Sequence, residues 1–128
     1  SKEKATERLL RAIENPFTTI LGHPTGRLLL SRAGYPIDHE KIIDACAANQ
    51  VVIEINAHPR RLDLDWTWVD HALDKGVLLS INPDAHQLEG FNDIRYGILV
   101  AQKTKLNASQ NLSSFSCKQL ENWLKKRK

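Results

Sequence analysis

The chain has no methionine, only two cysteines and only three phenylalanines in 128 residues. Two cysteines, Cys46 and Cys117, cannot build a disulfide framework, so a small secreted scaffold is excluded and a reducing compartment is expected. None of its apolar runs approaches the ~20 residues that crossing a bilayer takes. Read from its first residue, the sequence has no charged-then-apolar leader. The expectation is therefore a cytoplasmic protein without membrane association. There is little excess of one charge either: 18 basic against 15 acidic residues leave +3. A tail "KKRK" from Lys125 to Lys128 carries part of that excess and reads as a solvated helix end favoured by the helix dipole. Repeats, low-complexity tracts and a clear domain linker are also missing, so one domain or part of one is expected. Asn107-Ala108-Ser109 and Asn111-Leu112-Ser113 fit the glycosylation acceptor pattern, which means little without a secretory signal.

What is present is an alternation of helical and strand patterns. Lys2 to Asn15 carries Ala5, Leu9, Ala12 and Ile13 on one face and stops at Asn15-Pro16, predicting an amphipathic helix. "TTIL" (Thr18 to Leu21) is a short strand, followed by a loop with one helical turn at Leu28 to Ser31. Asp38 caps a helix burying Ile42, Ile43, Cys46 and Ala47, with the Cys46 thiol inert in the core. "VVIEINA" (Val51 to Ala57) is β-branched and reads as a strand. Asp65 caps the next helix, which buries Trp66, Val69 and Leu73 and closes at Gly76. "VLLSIN" (Val77 to Asn82) is a third strand and Asn92 to Lys103 a helix with Ile94, Ile98 and Ala101 inward. Ser116, with Gln119 three residues on, makes a capping box for a last helix carrying Leu120, Trp123 and Leu124. His39 and His71 fall on helices and are expected to face solvent.

Strands separated by helices must run parallel, and parallel α/β folds gather their reactive groups beyond the carboxyl ends of the strands. His23 lies just after the first strand, Glu54 and Asn56 in the last half of the second, and Asp84 and His86 just after the third. All three strands thus aim polar groups at one rim. Imidazole and carboxylate together suit Zn²⁺, Mn²⁺ or Fe²⁺, and a divalent ion acidifies water for attack on a phosphoryl centre. Arg27 could grip a phosphate in bidentate fashion or simply pair with an acid. Glu54 and Asn56 share a strand face; for Glu54, ligation and a buried ion pair with Arg60 or Arg61 are both open. His58 reads as a loop histidine.

"GHPTGR" (Gly22 to Arg27), "EINAHPRRLDL" (Glu54 to Leu64) and "SINPDAH" (Ser80 to His86) resemble, in this order, motifs of the polymerase-and-histidinol-phosphatase (PHP) domain. The similarity is greatest to the version at the carboxyl end of bacterial family-X DNA polymerases and covers nearly the whole chain. The resemblance implies a distorted (β/α) barrel with a cluster of divalent ions (Zn, Mn, Mg or Fe) at its rim. It implies metal ligation by His23, Asp84 and His86, and pocket roles for Arg27, Asn56 and Arg60: Arg27 and Asn56 in catalysis, Arg27 and Arg60 on the substrate. Glu54 does not correspond to the family's bridging carboxylate. The activity implied is hydrolysis of phosphodiesters at DNA 3′ ends, beside a polymerase domain. A histidinol-phosphatase-like phosphomonoesterase and a non-catalytic structural or DNA-positioning module are the alternatives.

The departure from the family is the missing opening strand with its His-x-His pattern. Three strands also cannot close a barrel. Residues 1–128 are therefore expected to be the carboxyl-terminal portion of the domain: an α/β partial parallel barrel of about three βα units plus flanking helices. Incomplete metal binding and self-association through exposed strand edges follow as expectations.

Overall fold

The computed structural model describes residues 1–127. The chain opens with α1 (Lys2–Glu14), whose first turn is capped by the Ser1 side chain and which ends at Asn15 in extended conformation. The sheet is formed by β1 (Ile20–Leu21), β2 (Val52–Asn56) and β3 (Leu79–Asn82), all parallel in the order β1-β2-β3. Between them run α2 (His39–Asn49), capped by Asp38, and a 3₁₀ turn (Trp66–Trp68) leading into α3 (Val69–Asp74). A second 3₁₀ stretch (Leu88–Asp93) leads into α4 (Ile94–Ala101), and α5 (Cys117–Lys126) starts at the capping box of Ser116 and Gln119. This is the α/β order expected from the sequence, with a small parallel sheet.

The core is made by the β-branched strand positions. Ile53, Ile55, Leu79 and Ile81 pack with Ile13 of α1, Ile42, Ile43 and Cys46 of α2, and Val69 and Ala72 of α3. Burial pushes the Cys46 thiol up to about 12, so it is inert at neutral pH. Helix α1 is tied to the start of α2 by Thr6, whose buried hydroxyl accepts the Asp38 amide at 2.9 Å.

Several expectations change. Leu28 to Ser31 does make one hydrogen-bonded turn, the Leu28 carbonyl accepting the Ser31 and Arg32 amides at 3.0 and 2.8 Å, but it is irregular: Leu30 sits in the left-handed region, fully exposed. Trp66 is 42% exposed rather than buried, because Trp66–Trp68 winds as a 3₁₀ turn ahead of the helix and shifts the buried face to Val69 and Ala72. Ile98 is also exposed, since α4 begins only at Ile94 and turns Gly97 and Ala101 inward. His39 and His71 are half-buried: His39 stacks flat on Trp68 with ring centroids 4.6 Å apart, and His71 meets the same indole edge-on. Burial lowers the His39 pKa, against the opposing pull of Asp63, Asp65, Asp38 and the Ile37 carbonyl.

The outer edge of β3 is not open. The Ile81 amide, which an edge strand would present to a partner, donates to Asn111 Oδ1 at 3.2 Å and Ser113 Oγ at 3.3 Å, and Leu79 bridges Asn111 in parallel. Asn111 is itself buried, which removes it as a glycosylation acceptor in the folded chain. The expected pairing between copies therefore loses this edge as a template. At the other side β1 is only two residues long.

Candidate functional site

Parallel register brings the polar positions of the strands onto one face. Glu54 pairs with Ser80 and Asn56 with Asn82, while Ile53 and Ile55 pair with Leu79 and Ile81 on the apolar side. Glu54 is the hub of the polar face. Its Oε1 accepts the His23 amide at 2.9 Å and the Asn56 side-chain amide at 3.1 Å, and its Oε2 accepts the Asn82 side-chain amide at 2.8 Å. The carboxylate is thus held by neutral donors from all three strand ends. Of its two open readings, the ion pair with Arg60 or Arg61 is absent among the described residues.

Asn56 extends the network to Asp84. Its Nδ2 also donates to Asp84 Oδ2 at 3.1 Å, and its Oδ1 accepts the His58 amide at 3.1 Å. At 1% exposure the Asn56 side chain lies beneath the rim with its amide hydrogens committed to the two carboxylates. Arg61 approaches the same Asp84 oxygen, Nε to Oδ2 at 3.2 Å. Asp84 Oδ2 is therefore engaged twice, and Oδ1 is turned to the His86 side, with His86 Nδ1 at 3.9 Å. His86 Nδ1 lies 2.8 Å from the Asp84 carbonyl oxygen. In the tautomer that donates this hydrogen bond, the lone pair is on Nε2 of a side chain that is 81% exposed. His23 and Asp84 both have positive φ, 21° and 55°, although neither is glycine. Such backbone costs about 1–3 kcal/mol and persists where surrounding bonds hold it, here the Glu54 contact to His23 and the Asn56 and Arg61 contacts to Asp84.

The three strand ends thus share one rim, where Glu54 holds the His23 backbone and Asn56 holds Asp84, while His86 has polar contacts, among the described residues, to Asp84 alone. The donor chemistry of His23, Asp84 and His86 suits a divalent cation. They do not complete a coordination shell: among the described residues no three His, Cys, Asp or Glu side chains converge as a ligand set.

Arg27 has internal partners. Nε donates to the Arg61 carbonyl at 2.7 Å, Nη2 to the Leu62 carbonyl, and Nη1 to Asp65 Oδ1 at 3.0 Å. Burial would raise the Asp65 carboxyl, but the Thr67 hydrogen bonds and the Arg27 guanidinium outweigh it and hold the group below its ordinary value. The geometry makes Arg27 a clasp between the "GHPTGR" loop and the segment after β2. Arg27→Met is expected to cost about 2 kcal/mol of stability, because two carbonyls and a carboxylate lose a charged donor, and Arg27→Lys should not restore it. Chemical denaturation reads this directly; unchanged stability in both variants would return Arg27 to the role of a free phosphate ligand. Arg60 is exposed, with its amide bonded to His58 Nδ1 at 3.1 Å.

Sequence reading missed Asp63. Its side chain is fully buried, and Oδ2 accepts the Thr25 amide at 3.0 Å, the Thr25 hydroxyl at 2.8 Å and the Gly26 amide at 3.1 Å. Its backbone meanwhile bridges Asn56. One carboxylate thereby fixes the loop bearing His23 to the strand bearing Asn56. The only signal in the sequence is an acid between two leucines in "RLDLD" (Arg61 to Asp65), an alternation that also suits an exposed turn.

No protein-family model matches the chain. Curated proteins do. The chain is 38% identical over 120 residues to the DNA polymerase/3′-5′ exonuclease PolX of Bacillus subtilis, a match covering 94% of this chain and 21% of that protein. It is 39% identical over 54 residues to a probable phosphatase of Caldanaerobacter subterraneus, covering 42% of the chain and 19% of the relative. A probable phosphatase of a Thermoanaerobacter species is 30% identical over 90 residues, 66% of the chain and 34% of that protein. The chain is thus homologous to a family-X polymerase and to probable phosphatases, and spans about a fifth of the length of the first and at most about a third of the others. No helix among the described residues is long and apolar enough to cross a membrane.

Proposed function

We propose that residues 1–128 are the carboxyl-terminal portion of a PHP-type phosphoesterase domain in a cytoplasmic family-X DNA polymerase, hydrolysing phosphodiesters at DNA 3′ ends. The observation that carries this reading is the Glu54–Asn56–Asp84 network, which ties His23 and Asp84 to one rim at the carboxyl ends of three parallel strands. His23, Asp84 and His86 would hold a divalent metal, completed by ligands from the rest of the barrel. When bound, such an ion supplies positive charge to phosphoryl oxygens and lowers the pKa of a water to about 7.

The remaining residues position. Glu54 fixes the His23 backbone; Asn56 and Arg61 hold Asp84 Oδ2 and so present Oδ1. Asn56 acts from beneath the rim, and Arg60 is free to meet a DNA phosphate as a point of positive charge. The similarity to probable phosphatases favours, as a second reading, a phosphomonoesterase with the same site.

The test is release of nucleotides from the 3′ end of a labelled oligonucleotide by the longer polymerase of which this reading makes the chain a part. His86→Ala should lower the rate at least about a hundredfold. A rate unchanged in His86→Ala would overturn the reading; loss of activity on a phosphomonoester alone, with no 3′-end removal by the unaltered protein, would select the second.

A further inference from the structure

A cavity of about 340 Å³ lies between α1 and the "GHPTGR" loop, with a largely apolar lining that three arginines interrupt. Arg8 of α1, Arg32 and Arg61 reach it together with His23, Tyr35 and the apolar Leu9, and among the described residues no acidic side chain lines it. Arg61 is already paired with Asp84. Arg8 and Arg32 have no acidic partner among the described residues, and Arg32 spends only Nε on a neighbouring carbonyl, that of Gly26 at 3.1 Å. Two uncompensated guanidiniums facing one concave space form an anion site, since each keeps planar paired donors that match a phosphate.

Tyr35 adds the second half of a ligand. Its amide is anchored to the Thr25 carbonyl at 2.7 Å, and its ring lies on Gly26, where a Cβ would come within 3.3 Å of it. Gly26 has φ of 66°, so a side chain there would be strained as well as crowding the ring. The ring is backed on one side yet 61% exposed overall, which is the arrangement of a stacking platform for a base. The volume falls within the range of about 300–1,000 Å³ typical of small-ligand pockets.

We propose that this cavity is a nucleotide subsite, with Tyr35 under the base and Arg8 and Arg32 on the 5′-phosphate of the terminal nucleotide of a single DNA strand. The proposal rests on the phosphoesterase reading for its biological setting, because His23 and Arg61 line the cavity and connect it to Asp84. The binding itself requires neither metal nor turnover, so it is tested apart from catalysis.

Thymidine 5′-monophosphate, thymidine and inorganic phosphate are titrated into the ¹⁵N-labelled chain without divalent metal, following amide shifts. The nucleotide should move the amides of Arg8, Gly26 and Tyr35, and bind more tightly than either half alone. Arg32→Ala should weaken the nucleotide and phosphate about tenfold or more. Tyr35→Leu should weaken the nucleotide at least about fivefold and leave phosphate unchanged. Arg8→Gln, on the exposed face of α1, repeats the phosphate measurement should Arg32→Ala disturb the fold. Absence of shifts at these residues, or equal binding of phosphate and nucleotide with no effect of Tyr35→Leu, overturns the subsite. Binding as described alongside an active His86→Ala polymerase would uphold the subsite while removing the reading of the metal rim.

Discussion

Asp63→Ala should lower the melting temperature of the chain by about 10 °C or more, a loss of roughly 3 kcal/mol. The residue is fully buried and one oxygen takes three hydrogen bonds from Thr25 and Gly26. Removing it leaves two backbone amides and a hydroxyl without their acceptor in a half-buried loop, and each such group costs about 1–3 kcal/mol when no replacement is reached. The effect should spread to function, because the same loop carries His23 and the Tyr35 anchor on Thr25. Asp63→Asn is expected to lose less, since its amide oxygen can occupy the same point among the donors. Thermal unfolding followed by circular dichroism checks both; an alanine variant melting within about 2 °C of the parent would show that the carboxylate is not what fastens the loop.

Gly97 should tolerate no side chain. Helix α4 crosses the end of β3 at this residue, and a Cβ would lie 2.5 Å from Ile81 Cγ2 and 2.7 Å from the Ala57 methyl. Helix propensity alone favours Gly97→Ala by about 1 kcal/mol, so the sign is informative. Overpacking costs about 1–3 kcal/mol and more when backbone has to move, and Ala57 Cα is only 3.4 Å away. The clash should outweigh propensity: Gly97→Ala should be destabilising, and Gly97→Val should lose about 3 kcal/mol or more. A raised melting temperature for the alanine variant would mean that α4 is free to ride outward.

The same helix shows how far periodicity carries. The spacing of Ile94, Ile98 and Ala101 gave the correct element, yet Gly97 occupies the close contact and Ile98 faces out. A hydrophobic period names a face only when the start of the helix is known, and here a 3₁₀ stretch displaced it. The tryptophan turn before α3 misleads for the same reason. Helix caps, by contrast, depend on three or four neighbouring residues, and Asp38 and Ser116 were legible as caps at once.

The site divides along a similar line. The placement of His23, Asp84 and His86 was legible because each follows a segment read as a strand, and parallel strands send their ends to one rim. Glu54 and Asn56 were placed on that rim too, but the contacts that support it were not legible. Glu54 meets His23 across 31 positions and Asn82 across 28, Asp63 meets Thr25 across 38, and Asn111 covers an edge 30 residues away. Arg8 belongs to the charged side of an amphipathic helix, where the pattern says only that it avoids the core. By itself, then, the sequence determined the alternation of elements, their caps and the rim where chemistry-bearing residues gather, since all of these follow from local spacing. Only the tertiary structure decided which side chains hold that rim, which arginines beside it lack an acidic partner among the described residues, and which strand edge is covered. Those outcomes depend on contacts between segments distant in the chain, which local pattern does not specify.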